Sequence, residues 1–207
     1  MPISKGDKLS NEQCPTNNLE KEAMQDKPYA SLVGSLMYAQ GCTRPDLAFT
    51  ISVLGRFQSN AGEAHWNAGK IVLRYLQRTK SHMLVYKRID DQLVLEGYSD
   101  ADFAGCPDDL KSTSGYVFMM GGGAISWRSV KQDIVAPSTM VAEYLSCYEA
   151  INQGVWLKNF ITGLRIVDSI SRPIQLYCDN NAAIFFTKNN KRSNATRNLD
   201  IKFLVTR

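Results

Sequence analysis

Histidine is scarce in this chain: His65 and His82 are the only two, and both precede the stretch where acidic residues fall in motif-like settings. A histidine base or zinc ligand is thereby excluded from the C-terminal half, and chemistry there must rest on carboxylates. The five cysteines, Cys14, Cys42, Cys106, Cys147 and Cys178, are odd in number, scattered and never spaced Cys-x-x-Cys. That pattern indicates neither a disulfide framework nor a structural zinc site, but small buried thiols in a reducing compartment. No apolar run approaches the ~20 residues of a membrane-spanning helix. The opening MPISKGDKLS also lacks the apolar core of a signal peptide. A soluble intracellular protein, of cytoplasm or nucleus, is the expectation. Internal repeats are absent too, which excludes solenoids and propellers.

What is present is ordinary globular composition, 44% hydrophobic and 21% charged over 207 residues, enough for one full core and a smaller annex. Net charge is only +4, yet residues 188–207 hold Lys188, Lys191, Arg192, Arg197, Lys202 and Arg207 against Asp200 alone. Clustered cations beside a carboxylate site suit a polyanion, because they offset phosphate repulsion and release counterions. A solvated basic loop is the equal alternative. Lys188, Lys191, Arg192 and Arg197 are the candidate nucleic-acid contacts.

Hydrophobic spacing divides the chain into three. Residues 1–28 are polar, carry Pro2, Pro15 and Pro28, and show no sustained periodicity, so they read as an extended lead-in. From Tyr29 the spacing of Leu32, Val33, Leu36 and Met37 predicts a helix ending near Gly41. Thr43 can cap a second helix, with Pro45 in its first turn and Leu47, Ile51 and Leu54 on one face. Ala68, Ile71, Val72, Tyr75 and Leu76 predict a third over 64–79, making 29–90 a helical segment. Beyond it come three β-rich runs (93–99, 115–120, 124–127), a long helix over 138–164 stopped by Gly163, a strand at 174–178 and a short helix at 182–188. The order β-β-β-α-β-α predicts an α/β domain with a mixed sheet over 91–207.

Four acids stand at positions where chemistry is possible. Asp100 ends the first strand in GYSDADFAG, and Glu143 opens the long helix, followed on its own face by the small residues Cys147, Ala150 and Gly154. Small residues there let the helix approach the sheet and carry Glu143 toward the strand ends. Asp179 follows the last strand and Asp200 lies in NLDIKF near the chain end. Singly, each has a plain structural role: a turn, a solvated helical acid, a helix cap, a helix surface. Together they can converge at one sheet edge, where several carboxylates need divalent cations to offset their repulsion. Hard oxygen ligands suit Mg²⁺ or Mn²⁺. Two such ions ~4 Å apart activate water and stabilise a leaving oxygen in phosphodiester hydrolysis.

The run KSTSGYVFMMGGGAISW from Lys111 to Trp127, with SDAD before it, AEY at Ala142 to Tyr144, CDNNAAI at Cys178 to Ile184 and LDIKF at Leu199 to Phe203, resembles the ribonuclease H of Ty1/copia-type retrotransposon polyproteins. Upstream, PYASLVGSLMYAQGCTRPDLAF and HWNAGKIVLRYLQRT resemble the segment where that family's reverse transcriptase ends and its connection begins. The resemblance spans nearly the whole chain. It implies a ribonuclease H-like mixed sheet flanked by helices, preceded by a small helical remnant of the polymerase. It implies that Asp100, Glu143, Asp179 and Asp200 are catalytic metal ligands for two Mg²⁺ or Mn²⁺ ions. The implied reaction is endonucleolytic hydrolysis of RNA within RNA–DNA hybrids, with the RNA strand told apart by its 2′-hydroxyls. DNA polymerisation is not expected.

Two positions depart from the family pattern: Val141 stands where a further Glu is usual, and Asn198 where a His precedes the last Asp. Loss of that His is expected to slow turnover rather than abolish it. Two alternatives stay open: a catalytically degenerate fragment that only binds hybrid duplex weakly, and strand transfer of the transposase or integrase kind on the same carboxylate set.

Overall fold

The computed structural model describes residues 2, 8–87, 94–165 and 173–188, and the chain divides into two compact units. One comprises residues 1–84 with 105–110, the other residues 85–104 with 111–207.

The first unit is helical: α1 (Asn18–Gln25), α2 (Tyr29–Thr43), α3 (Ala48–Gly55) and α4 (Glu63–Arg78), with single 3₁₀ turns at Asn11–Gln13 and Pro45–Leu47. The polar opening is therefore not simply extended. Asn17 caps α1 by accepting from the Glu20 amide at 2.8 Å, while the Glu20 carboxylate accepts from the Thr16 amide at 2.8 Å. None of α1 is buried, so no apolar stripe announced it. Tyr29, Val33 and Leu36 form the inner face of α2 and pack with Leu47, Ile51, Leu54, Phe57, Ala68 and Val72 into one core. Each fully buried aliphatic side chain there contributes about 1.5–3 kcal/mol over its exposed state. Thr43 does not cap the next helix; its hydroxyl donates back to the Ala39 carbonyl at 3.3 Å and closes α2. Pro45 opens the 3₁₀ turn instead. Gly62 precedes α4 where a Cβ would lie 1.8 Å from the Gln13 carbonyl oxygen, so only glycine fits.

The second unit is α/β: a four-stranded mixed sheet with helices. Its strands are β1 (Glu96–Asp102), β2 (Thr113–Met120), β3 (Gly123–Lys131) and β4 (Gln175–Cys178), in spatial order β3-β2-β1-β4. β1–β2 and β2–β3 are antiparallel, whereas β1–β4 is parallel, because helix α5 (Thr139–Leu164) returns the chain between β3 and β4. Gly121 and Gly122, at φ of 62° and 79°, make the two-residue link between the paired Met120 and Gly123. Helix α6 (Asn181–Lys188) follows β4 directly.

α5 packs on β1 and β2, and its small residues are the seam. Ala150 is fully buried, and a Cβ on Gly154 would come within 3.1 Å of the Phe118 ring. Gly97 on β1 meets the same ring from the strand side. Phe118 with Leu95, Leu157 and Ile161 forms one apolar cluster; Ala101, Ala136, Val141, Ala142, Tyr144 and Leu145 form another. Between them, the Ser146 hydroxyl donates to the Asp100 carbonyl at 2.7 Å and lies 3.2 Å from that of Gly115. Asp100 and Gly115 are ladder partners, so Ser146 pins α5 to both strands at once. The helix runs one residue past Gly163 and ends where Arg165 turns left-handed, at φ 53°. Among the described residues, no helix is long and apolar enough to cross a membrane.

Candidate functional site

Ser138 caps α5 by accepting from the Val141 amide, and Glu143 stands one turn further along. The small-residue seam draws this end of α5 onto the sheet and buries Glu143 to 7% exposure. Burying a carboxylate is costly unless a proton, a hydrogen-bond donor or a cation compensates. β4 delivers the second acid: Asp179 follows Cys178, the last strand residue, and is exposed. Its capping alternative is taken by its neighbour, since the Asn180 side chain accepts from the Ala183 amide at 3.0 Å and starts α6. A Glu143 oxygen, an Asp179 oxygen and the Cys178 sulfur lie within 4.8 Å of one another.

Asp100 sits at the next position along β1 after Ser99, the register partner of Cys178, so it neighbours Asp179 across the β1–β4 edge. It is exposed while Ser99 and Ala101 are buried. The structure thus groups Glu143 with Asp179 and leaves the Asp100 carboxylate outside that 4.8 Å group. Lys188 ends α6; Lys191, Arg192, Arg197, Asn198 and Asp200 lie outside the described residues. Val141, which the resemblance sets at the position of a further Glu, is 2% exposed in an apolar cluster. Packing occupies that position here, and a carboxylate would be buried among Ala101, Tyr144 and Leu145.

Two residues were not legible as site residues. Ser146 fixes the Asp100 backbone through its 2.7 Å hydrogen bond. Cys178 read only as a small buried residue, yet it shares the carboxylate group. Its signal lay in strand register, which places it opposite Ser99, and Ser99 Oγ lies 3.2 Å from Cys147 Sγ. Burial pushes the Cys147 thiol up to about 12; the neighbouring Cys178 and Glu143 also raise it, while Ser99 opposes.

Comparison with known proteins supplies the family. The chain is 43% identical over 202 residues, 98% of its length, to the retrovirus-related Pol polyprotein from transposon TNT 1-94 of Nicotiana tabacum, of which this is 15%. It is 40% identical over 161 residues to the retrovirus-related Pol polyprotein from transposon RE2 of Arabidopsis thaliana, covering 78% of this chain and 11% of that one. It is also 47% identical over 134 residues to the secreted RxLR effector protein 161 of Plasmopara viticola, covering 65% of this chain and 94% of that protein. No family model matches the chain, and no solved structure does. The chain spans a small part of the polyproteins it matches, but those matches take in both units, and on their strength it belongs to the family of copia-type, retrovirus-related Pol polyproteins of transposons.

Proposed function

We propose that the sheet unit is a ribonuclease H-type nuclease that hydrolyses RNA in RNA–DNA hybrids, with Mg²⁺ or Mn²⁺ as cofactor. The observation that carries this reading is the meeting of Glu143 and Asp179 at the C-terminal end of β4, one register step from Asp100. The donor set fits a divalent cation: a buried carboxylate and a second acid within 4.8 Å repel each other, and a cation removes that penalty. Glu143 and Asp179 would hold it, with Asp100 and Asp200 completing the set on the family pattern. When bound, two such ions supply an activated water and stabilise the leaving oxygen.

The chain's own residues position the rest. α5 holds Glu143 rigidly because Ser146, Ala150 and Gly154 lock the helix to β1 and β2. Lys188, Lys191, Arg192 and Arg197 offer cations to the hybrid backbone, which makes binding salt-dependent. Asn198 lacks the proton-handling capacity of a histidine, so turnover is slow.

The test is a labelled RNA–DNA hybrid incubated with the purified chain in Mg²⁺ or Mn²⁺. Cuts confined to the RNA strand and lost in Asp100→Asn support the reading; equal background from wild type and Asp100→Asn overturns it. A second reading, hybrid binding without cleavage, rests on Val141 and Asn198, where the chain departs from the family pattern. Salt-sensitive hybrid binding with no cut product would establish that second reading instead.

A further inference from the structure

Cys147 and Cys178 are the two cysteines of the sheet unit, and they stand 31 residues apart on different elements. Ser99 is their common neighbour. Cys178 pairs in register with Ser99 across the parallel β1–β4 ladder, so both side chains leave the same sheet face on strands about 4.8 Å apart. Cys147 reaches that face from α5, with its sulfur 3.2 Å from Ser99 Oγ. The two thiols are close enough for Cys178 to perturb Cys147 electrostatically. The Cys178 sulfur also lies within 4.8 Å of oxygens of Glu143 and Asp179.

We infer that Cys147 and Cys178 form a reversible disulfide under oxidising conditions, and that this bond disables the Glu143–Asp179 cation site. The bond itself follows from the pairing of the thiols; its effect on the cation rests on the nuclease reading above. Cys178 is half-buried and meets the oxidant first, whereas Cys147 is buried. With hydrogen peroxide, the Cys178 thiol is oxidised to a sulfenic acid with release of one water. The Cys147 thiol then attacks that sulfur, its proton leaves with the departing hydroxyl as a second water, and the S–S bond forms. Two thiols and one peroxide thus give one disulfide and two waters, and an external dithiol reverses the change by exchange.

The consequence for the carboxylates is geometric. A disulfide fixes the sulfurs at about 2.05 Å. It therefore ties α5, four residues beyond Glu143, to the residue directly before Asp179. Both acids move with their anchors, and a cation site tolerates little displacement of its ligands.

The test treats the whole chain with hydrogen peroxide, blocks remaining thiols and maps tryptic peptides without reduction. Cys147 lies in peptide 132–158 and Cys178 in peptide 166–188, each containing no other cysteine. The expected result is a cross-link between these two peptides that dithiothreitol removes and that Cys147→Ser and Cys178→Ser each prevent. Mn²⁺ titrated alone should bind the oxidised chain roughly ten- to hundredfold more weakly than the reduced one. Separate oxidation of the two thiols without a cross-link overturns the inference. A cross-link with unchanged Mn²⁺ affinity overturns the coupling to the site, while a reduced chain that binds no Mn²⁺ overturns the nuclease reading and leaves the disulfide standing.

Discussion

In the helical unit, Arg44 meets Asp46 through two hydrogen bonds of 2.9 and 2.7 Å, donates to Thr79 at 2.8 Å and lies over the Tyr75 ring, whose hydroxyl donates to Asp46. Opposite charges close on one another there, and the ring of contacts ties α4 to the turn before α3. In the sheet unit, Glu143 and Asp179 bring like charges together beside Cys178. The first arrangement stabilises its own fold, because each donor finds an acceptor. The second sets two acids side by side, which costs stability whenever both are ionised. The Arg44 network is structural, whereas the Glu143–Asp179 pair is the arrangement that the proposed cation would relieve.

The largest expected effect breaks the second arrangement. Glu143→Gln removes one negative charge with almost no change of shape, so hybrid cleavage should fall on the order of 10²-fold or more, as when one charge-stabilising group leaves a hydrolytic site. The thermal midpoint should stay level or rise, since a buried like-charge contact is relieved. Cleavage rates and circular-dichroism melts of the two proteins check both halves. A folded Glu143→Gln variant that cuts at the wild-type rate would remove the distinction between the units.

Much of this contrast was legible in sequence because it rests on period and order. The spacing of Ala68, Val72 and Leu76 gave α4, the glycine run at Gly121–Gly123 gave the β2–β3 hairpin, and the small residues Cys147, Ala150 and Gly154 gave the seam of α5. What escaped was made by side-chain capping or by register. α1 arises from Asn17 and Glu20 with no buried face, and Thr43 bonds backward although its type also suits a forward cap. Asp179 could not be told from a cap until Asn180 was seen in that role. The nearness of Asp100 to Asp179 and of Cys147 to Cys178 comes from the β1–β4 register, which sets Cys178 beside Ser99, the residue that Cys147 touches. Non-local register is a property of the folded sheet, and no local pattern in these residues encodes it.

A smaller effect tests the first arrangement. Arg44 is 8% exposed, so Arg44→Met keeps its packing but removes the charged donor from Asp46, which retains the Tyr75 hydroxyl, and from Thr79. Loss of a charge-assisted pair of this kind should lower stability by about 1.5–3 kcal/mol. Urea midpoints read the loss, and cleavage by the folded variant should be little changed. The hydrogen bonds from Arg44 hold Asp46 below the usual carboxylate range, against the opposing effect of its partial burial. A depressed carboxylate contributes stability that is present above its unfolded pKa near 3.9 and lost as pH falls through the folded value. The deficit of Arg44→Met should therefore narrow once the pH drops below about 4. A deficit independent of pH down to about 3 would mean that the side chain acts through packing alone.

The smallest effect concerns His65, which is fully buried and stacks on Phe57 at 4.0 Å. The Gly62 amide donates to His65 Nδ1 at 2.9 Å, so this nitrogen is an acceptor and the ring is neutral. Burial lowers its pKa, opposed by the Ser10 backbone and by Asp108, both of which favour the charged form. With the folded value below the unfolded one near 6.5, the unfolded chain binds the proton first, so stability is complete above about pH 6.5 and declines as pH falls below it. Protonation at Nδ1 would also remove the acceptor that closes the start of α4, so amide exchange should quicken there before it does in α2. His65→Gln keeps an acceptor without titrating, and its urea midpoint should change less between pH 7.5 and 5.5 than that of the wild type. Parallel slopes in the two proteins would show that His65 does not set that pH dependence.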